Sequence, residues 1–474
     1  VLSLRYMNVF MKKSLPLTLE VGLNGSIGGY NSKADPDRSL DDYNKVKDNN
    51  VGGNIHLGWL LNKQWITNVD LTAAFTYADR LSESYTNESS NATQPYIHTL
   101  TEGYNIAEDY DKNPLANIIL GPTGYWYLRG FNDSKPLNYS LKMKANWSKA
   151  FGKFRNRLLV GGEWTSSKNR GRGTYYADMR YAPSWREYRY DALPSLNNIA
   201  IYAENKLSMD VNERQNAELT AGIREDITSV PGSEYGSVGS FSPRMNARYV
   251  FRFGQNSWLN SMTLHAGWGR SVKLPSFQVL YPSPSYRDML AFASTSDADN
   301  RSYYAFYTYP SMARYNANLK WQRADQWDLG VEWRTKIADV SLSFFHSKVY
   351  NPYMATDVYT PFTYRYTSPA MLQRSGIAVA DRRFSIDPQT GIVTVSDASG
   401  VKSPVTLGYE ERNTYVTNTR YVNADALQRY GLEWIVDFKQ IKTLRTQVRL
   451  DGKYYHYKAQ DETLFADVPV GLNT

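Results

Sequence analysis

Residues 138–151 read NYSLKMKANWSKAF, and this stretch decides the fold. Tyr139, Leu141, Met143, Ala145 and Trp147 alternate with Ser140, Lys142, Lys144, Asn146 and Ser148. Successive side chains of a strand point to opposite faces, so a period of two makes one apolar wall and one wet wall. The chain then turns at Gly152-Lys153 and runs back through 155–168 with the same alternation.

Working outward, the same unit recurs as seven hairpins. They are 1–11 with 17–30, 51–61 with 66–80, 138–150 with 155–168, 195–208 with 216–229, 242–253 with 260–271, 324–336 with 339–352, and 427–439 with 443–459. The first turns at Lys12–Pro16. Connections within hairpins are short. Those between hairpins are long, spanning 31–50, 81–137, 169–194, 230–241, 272–323 and 353–426. About 14 strands of ten or more residues, with short turns at one end and long loops at the other, predict an all-β, antiparallel transmembrane β-barrel with long extracellular loops and short periplasmic turns.

Composition agrees. No apolar run approaches the roughly 18–20 residues a spanning helix needs. A barrel strand needs only every second residue apolar, so the negative mean hydropathy does not argue against a membrane. Aromatic residues make up 14% of the chain, with 38 Tyr and 12 Trp, which suits interfacial girdles. The chain has no cysteine, which excludes disulfides, thiolate nucleophiles and Cys-based metal sites. A diffuse net charge of +8 offers no nucleic-acid surface.

Glu20, Asp70, Lys142, Lys144, Glu163, Arg224, Arg244, Glu332 and Asp437 fall on the wet face. A small barrel fills its lumen with packed side chains, so a charged lining implies a wide, wet or plugged interior. Residue 1 falls inside a strand, and Val470–Thr474 do not read as a closing strand. All 474 residues are therefore expected to be one segment of a single larger barrel, its N-terminal plug and closing strands outside this chain.

Enzyme signatures are missing. There is no Gly-x-Ser-x-Gly elbow and no phosphate-cradling loop, and the five histidines have no ligand spacing. Asp109-Tyr110-Asp111-Lys112-Asn113 begins like a calcium loop but has Pro114 at the glycine position and Leu120 where a bidentate Glu belongs. No catalytic residue, metal ligand or cofactor is expected. The long loops instead cluster aromatics with arginines. Candidate ligand contacts are Tyr175, Tyr176, Trp185, Arg186 and Tyr188 in one loop, Tyr303, Tyr304, Tyr307 and Arg314 in another, and Tyr364 in a third. Exposed aromatics beside fixed polar groups make ligand mouths. The alternative is that these loops pack on one another with Tyr as filler.

Four segments, in order, resemble the barrel of TonB-dependent outer-membrane receptors. They are NIAIYAENKL (198–207) with LTAGIRED (219–226), FSPR (241–244) with AGWGRSVKLPSF (266–277), NANLKWQRADQWDLGVEWR (316–334), and RYGLEW (429–434). The long Tyr- and Asn-rich loops resemble Bacteroidetes members. The resemblance implies a barrel of about 22 strands around an N-terminal plug with a periplasmic TonB box. Neither plug nor box is read in these residues. It further implies location in the outer membrane of a Gram-negative bacterium, outer-membrane lipid as surroundings, and TonB as the partner that pulls the plug. The expected function is import of a scarce nutrient, first a ferric siderophore. The alternatives are an oligosaccharide taken up with a surface lipoprotein, or a passive porin-like barrel.

Overall fold

The alternating stretches form an antiparallel meander. The structure, a computed structural model, describes residues 1–12, 15–32, 37, 41–233, 235–254, 257–311 and 316–460, the side chains of 11, 12 and 15 excepted. Lys13 and Ser14 of the first expected turn, candidate Arg314, and Val470–Thr474 lie outside the described residues.

Among those residues the wall sheet has seventeen strands, of which three short ones (124–134, 173–176 and 236–241) extend it at the loop end and fourteen form the meander: β1 (Leu2–Lys12), β2 (Leu15–Ser32), β3 (Tyr43–Leu60), β4 (Asn68–Ser90), β5 (Pro136–Phe151), β6 (Phe154–Asn169), β7 (Leu196–Asn212), β8 (Gln215–Val230), β9 (Arg244–Arg252), β10 (Leu259–Lys273), β11 (Gln322–Thr335), β12 (Ala338–Tyr350), β13 (Leu427–Phe438) and β14 (Arg449–Lys458). Each pairs antiparallel with its successor. The seven expected hairpins are β1–β2 through β13–β14.

Register turns the alternation of each strand into two continuous faces. One row runs Tyr6–Val21–Ile55–Ala73–Leu141–Trp164–Ile199–Ile227 from β1 to β8. A lower row on the same face runs Leu219–Ala247–Ala266–Leu329–Phe344–Leu432–Tyr454 from β8 to β14. The opposite face brings Glu20, His56, Thr72, Lys142 and Glu163 into line. On β11 the apolar face starts and ends in tryptophan, Trp327 and Trp333. Six residues at about 3.3 Å each put these rings roughly 20 Å apart along the strand, the scale of a tilted apolar band between two girdles.

Short turns close one end. Phe151 pairs with Phe154 across Gly152-Lys153, and Gly152 takes φ of 58°, which glycine adopts without Cβ strain. Residues 439–448 make the longest turn, where Ile441 bridges Thr446 and Leu444 N–H donates to the Ile441 carbonyl. The last strand therefore starts at Arg449, not at 443.

At the other end the strands outrun the membrane. The β2–β3 ladder continues to Ser32 opposite Asn44, so half of the expected loop, 31–32 and 43–50, is strand. Hydrophobic alternation stops there because lipid stops; backbone pairing has no reason to. The β12–β13 pair continues in unbroken register into 353–366 and 410–423. Val349 faces Leu427, Ala424 N–H donates to the Pro352 carbonyl, and Tyr366 faces Glu410.

The three longest loops fold into a cap. Strands 95–97, 103–108, 118–120, 285–296 and 301–311 form its sheet. A small sheet of 382–386, 393–397 and 405–406 packs against it. The cap core holds Phe292, Ala305, Val393 and Val395, all fully buried, with Phe384 and Ile386. Most of the largest fully buried side chains lie in loops and the cap. The wall has two faces and no core between them.

Candidate functional site

The polar face of the wall carries an ionic ladder. Glu163 on β6 takes Lys142 from β5 at 3.9 Å and Arg224 from β8 at 3.2 Å, and Arg224 also holds Asp226 at 2.8 Å. Asn198 donates to Asp226 at 2.8 Å, and Arg244 pairs with Glu204. The Tyr202 ring lies between Lys142 and Arg224, 5.7 and 5.6 Å from their charged ends. Its hydroxyl is buried without a partner. Gly161 lets the ring lie flat, since a Cβ there would come within 2.5 Å of it.

Three cavities follow this face. The lowest, about 530 Å³, spans β5 to β10, and its lining includes Lys142, Lys144, Tyr202, Glu204, Arg224, Asp226, Arg244 and Arg270. The breadth of this cavity, across six neighbouring strands, agrees with a polar face that is concave and an apolar face that looks outward to lipid. A middle cavity of about 380 Å³ is lined by Thr76, Ser140, Thr165, Ser167 and Asn198. It shares Ser167 with a mouth cavity of about 520 Å³ at the loop end, lined by Ser167, Asn169, Tyr188, Tyr190, Phe277, Gln278 and Tyr281. These volumes suit small-molecule moieties. The mouth is built by the ends of β5 and β6, the 185–193 loop, and a one-turn helix, Phe277–Leu280. The Tyr188 hydroxyl donates to the Tyr281 carbonyl at 2.7 Å and fixes one wall to the other. Burial pushes the Tyr188 hydroxyl above its usual pKa, so it stays a donor at neutral pH.

Of the ten candidate residues, Tyr188 lines the mouth. Four others gather where three loops meet. The Arg186 guanidinium donates to the carbonyls of Ile97 and Thr99, both at 2.9 Å, and to Asp288 at 2.7 Å. Thr308 donates to the same Asp288 oxygen at 2.7 Å. Trp185 meets Tyr176 edge-on at 5.5 Å and also faces His98. Burial lowers the His98 pKa, reinforced by the Arg186 charge and opposed by its bond to the Trp185 carbonyl. Tyr175 stacks on Phe131 at 4.9 Å beneath the Arg172 guanidinium.

The remaining described candidates sit inside the cap. Tyr303 packs on Phe384 and donates to Asp299 at 2.7 Å. Tyr304 packs with Ile97, Ala107 and Ile118. Tyr307 donates to Glu102 at 2.8 Å, and burial together with that carboxylate drives its pKa well up. Tyr364 is 4% exposed, against Phe362 and Val416. Phe277, Gln278, Tyr281 and Ser167 were not singled out by sequence. Nothing local marks them, because they converge only through the fold. Among the described residues no cluster of three His, Cys, Asp or Glu could hold a metal.

No curated protein sequence matches this chain. Solved structures align with it at low identity. The copper transporter OprC shows 11% identity over 98% of this chain and 54% of its own, with a TM-score of 0.47. The RagAB peptide importer shows 11% identity over 99% and 48%, with a TM-score of 0.47. The siderophore receptor PirA of Pseudomonas aeruginosa shows 15% identity over 96% and 66%, with a TM-score of 0.39. The chain thus spans about half the length of the first two. The family model described as "TonB dependent receptor-like, beta-barrel" matches residues 12–471. With nearly the whole chain matched, this protein belongs to that family of Gram-negative outer-membrane barrels.

Proposed function

We propose that the chain is the wall and cap of an importer that moves a scarce nutrient inward along its polar face, with a ferric siderophore as cargo. The observation behind this reading is the line of three cavities from the mouth to the ionic ladder. Tyr188, Tyr190, Phe277 and Tyr281 offer flat apolar faces to a ligand ring, and Asn169 and Gln278 offer polar contacts. Below them Lys142, Lys144, Arg224 and Arg244 outnumber Glu204 and Asp226 in the cavity lining, which favours an anionic chelate. In this reading energy comes from TonB acting through a plug domain, and no covalent chemistry takes place. A glycan handled with a surface lipoprotein is the second reading; the tyrosines and amides of the mouth suit sugar rings.

The test is uptake by iron-starved cells carrying Tyr188→Ala with Tyr281→Ala. Labelled ferric siderophore uptake should fall about tenfold, as for loss of a central aromatic contact of about 1–2 kcal/mol. Undiminished uptake at normal surface level removes the mouth from the path. Loss of oligosaccharide uptake with iron uptake intact transfers the role to the second reading.

A further inference from the structure

The apolar face of β5–β7 is interrupted near the short turns. Trp147, Phe151 and Phe154 stand around a trough of about 520 Å³, floored by Leu158 and Leu207. The other two lining groups are carboxamides, Asn156 and Asn205. Register fixes their side. Asn156 pairs with Leu207 and Leu158 with Asn205, in the same alternation that puts Trp164 and Ile199 in the apolar row. Lys149 stands opposite Asn156 on β5, on this face as well. A diagonal Lys149–Asn156–Asn205 thus crosses three strands whose outward side is otherwise rings and aliphatic groups.

An amide in hydrocarbon needs a partner. Asn8, on the same face of β1, has one, since its amide donates to the Tyr6 hydroxyl at 3.0 Å. The side chains of Asn156 and Asn205 bond no described residue. What satisfies them is whatever fills the trough, and depth narrows the choice. Phe151 and Phe154 flank the turn Gly152-Lys153 and mark the membrane interface on that side. Asn156 lies two residues beyond Phe154, and Asn205 stands opposite Leu158, four residues beyond it. At about 3.3 Å per residue and a strand tilt of about 40°, the amides lie roughly 5 and 10 Å deeper than the rings. That is the level of glycerol esters and the first acyl carbons, just inside the headgroups. The two asparagines are diagonal neighbours, about 7–8 Å apart at the backbone, so their amide arms converge on one small group. The Lys149 stem is long enough to carry its ammonium back to the headgroups. Ala203 and Ala221, beside Asn205, are small and leave the trough open toward the middle of the bilayer.

We propose that this trough holds one diacyl phospholipid of the periplasmic leaflet, its ester carbonyls accepting from Asn156 and Asn205 and its phosphate facing Lys149. The place on the lipid-facing wall selects a lipid over a soluble ligand. The order of groups along the diagonal, cation then amides then open apolar trough, matches the order phosphate, esters, acyl chain. Ester carbonyls accept and do not donate, which suits two NH2 groups left without acceptors.

The test uses the full chain in detergent with native mass spectrometry as readout. The probes are dioleoyl phosphatidylglycerol and its dialkyl ether analogue, which has the same headgroup and no carbonyls. Wild type should retain the ester lipid about tenfold better than the ether, as expected for two hydrogen bonds. Asn156→Leu with Asn205→Leu should hold both lipids at the level of the ether. These replacements put apolar groups on a lipid face, so the barrel keeps its fold, which heat-modifiable migration checks. Lys149→Gln should lower retention of both lipids alike, about fivefold, and leave the ester preference intact. Equal retention of ester and ether by wild type overturns the proposal, and so does an ester preference that survives the double Leu variant. Full retention by Lys149→Gln takes the phosphate out of the trough and overturns the assignment to a phospholipid. A wild-type dimer that the double Leu variant loses assigns the trough to a second copy of the chain and overturns the lipid.

Discussion

Wall and cap solve opposite problems with the same strands. In the wall each strand has one face toward lipid and one toward the lumen, and Met143 and Lys144 stand one residue apart with opposite surroundings. In the cap both faces of a strand can be covered, and Phe292, Ala305, Val393 and Val395 are removed from solvent altogether. A wall residue is constrained by the phase it touches. A cap residue is constrained by the shape of its neighbours. The first constraint is periodic along the chain, and the second is not.

The largest expected effect breaks the cap and spares the wall. Arg186→Ala leaves Asp288 and two carbonyls, largely covered, without their cation, a loss of about 3–5 kcal/mol for a buried pair that loses one member. Hydrogen exchange should rise in 95–120 and 285–311, while the wall ladder stays protected. Equal deprotection of the wall would mean the two regions form one cooperative unit.

Next comes a test of the wall. Met143→Arg puts a cation on the lipid face and should cost about 2–4 kcal/mol near mid-membrane. Lys144→Leu, on the lumen face, should stay within about 1 kcal/mol. Chemical denaturation of the folded barrel in lipid reads both. Reversed costs would invert the sidedness of the sheet.

The smallest effect is a pH dependence confined to the cap. His98 has a lowered folded pKa, so below the unfolded value of about 6.5 the unfolded cap takes up a proton that the folded cap resists. The His98 contribution is intact above that pH and is lost as the pH falls through the folded pKa. Cap exchange rates should rise over that range in wild type and not in His98→Gln. A wild-type cap indifferent to pH between 7 and about 5 would contradict the assignment.

The same contrast explains what could be read in advance. All seven hairpins were legible, because Leu141 beside Lys142, or Trp327 beside Asp328, reports two phases in two residues. The start of β14 was not, since 443–448 alternate weakly and close a turn on themselves. In the cap, Tyr303, Tyr304, Tyr307 and Tyr364 read as a group of exposed rings; the fold surrounds them with Phe384, Ile118, Tyr104 and Val416. Tyrosine serves both a ligand surface and a packed interior, and its spacing does not tell them apart. Arg186 was singled out for its charge beside aromatics, and that charge is spent on Asp288 and two carbonyls. The mouth itself was hidden because Ser167, Tyr188 and Tyr281 come from three distant segments.

The unbroken register of β12–β13 into 353–366 and 410–423 has a mechanical consequence. A ladder without a bulge behaves as a stiff lever, and its outer arm of fourteen residues, Tyr353–Tyr366, would reach about 45 Å at 3.3 Å per residue. It thins at one joint, where Asn351 takes a left-handed φ of 53° and Pro352 has no N–H to give. A sideways load on the cap concentrates its bending there, at the rim, and the arms on either side of the joint swing whole.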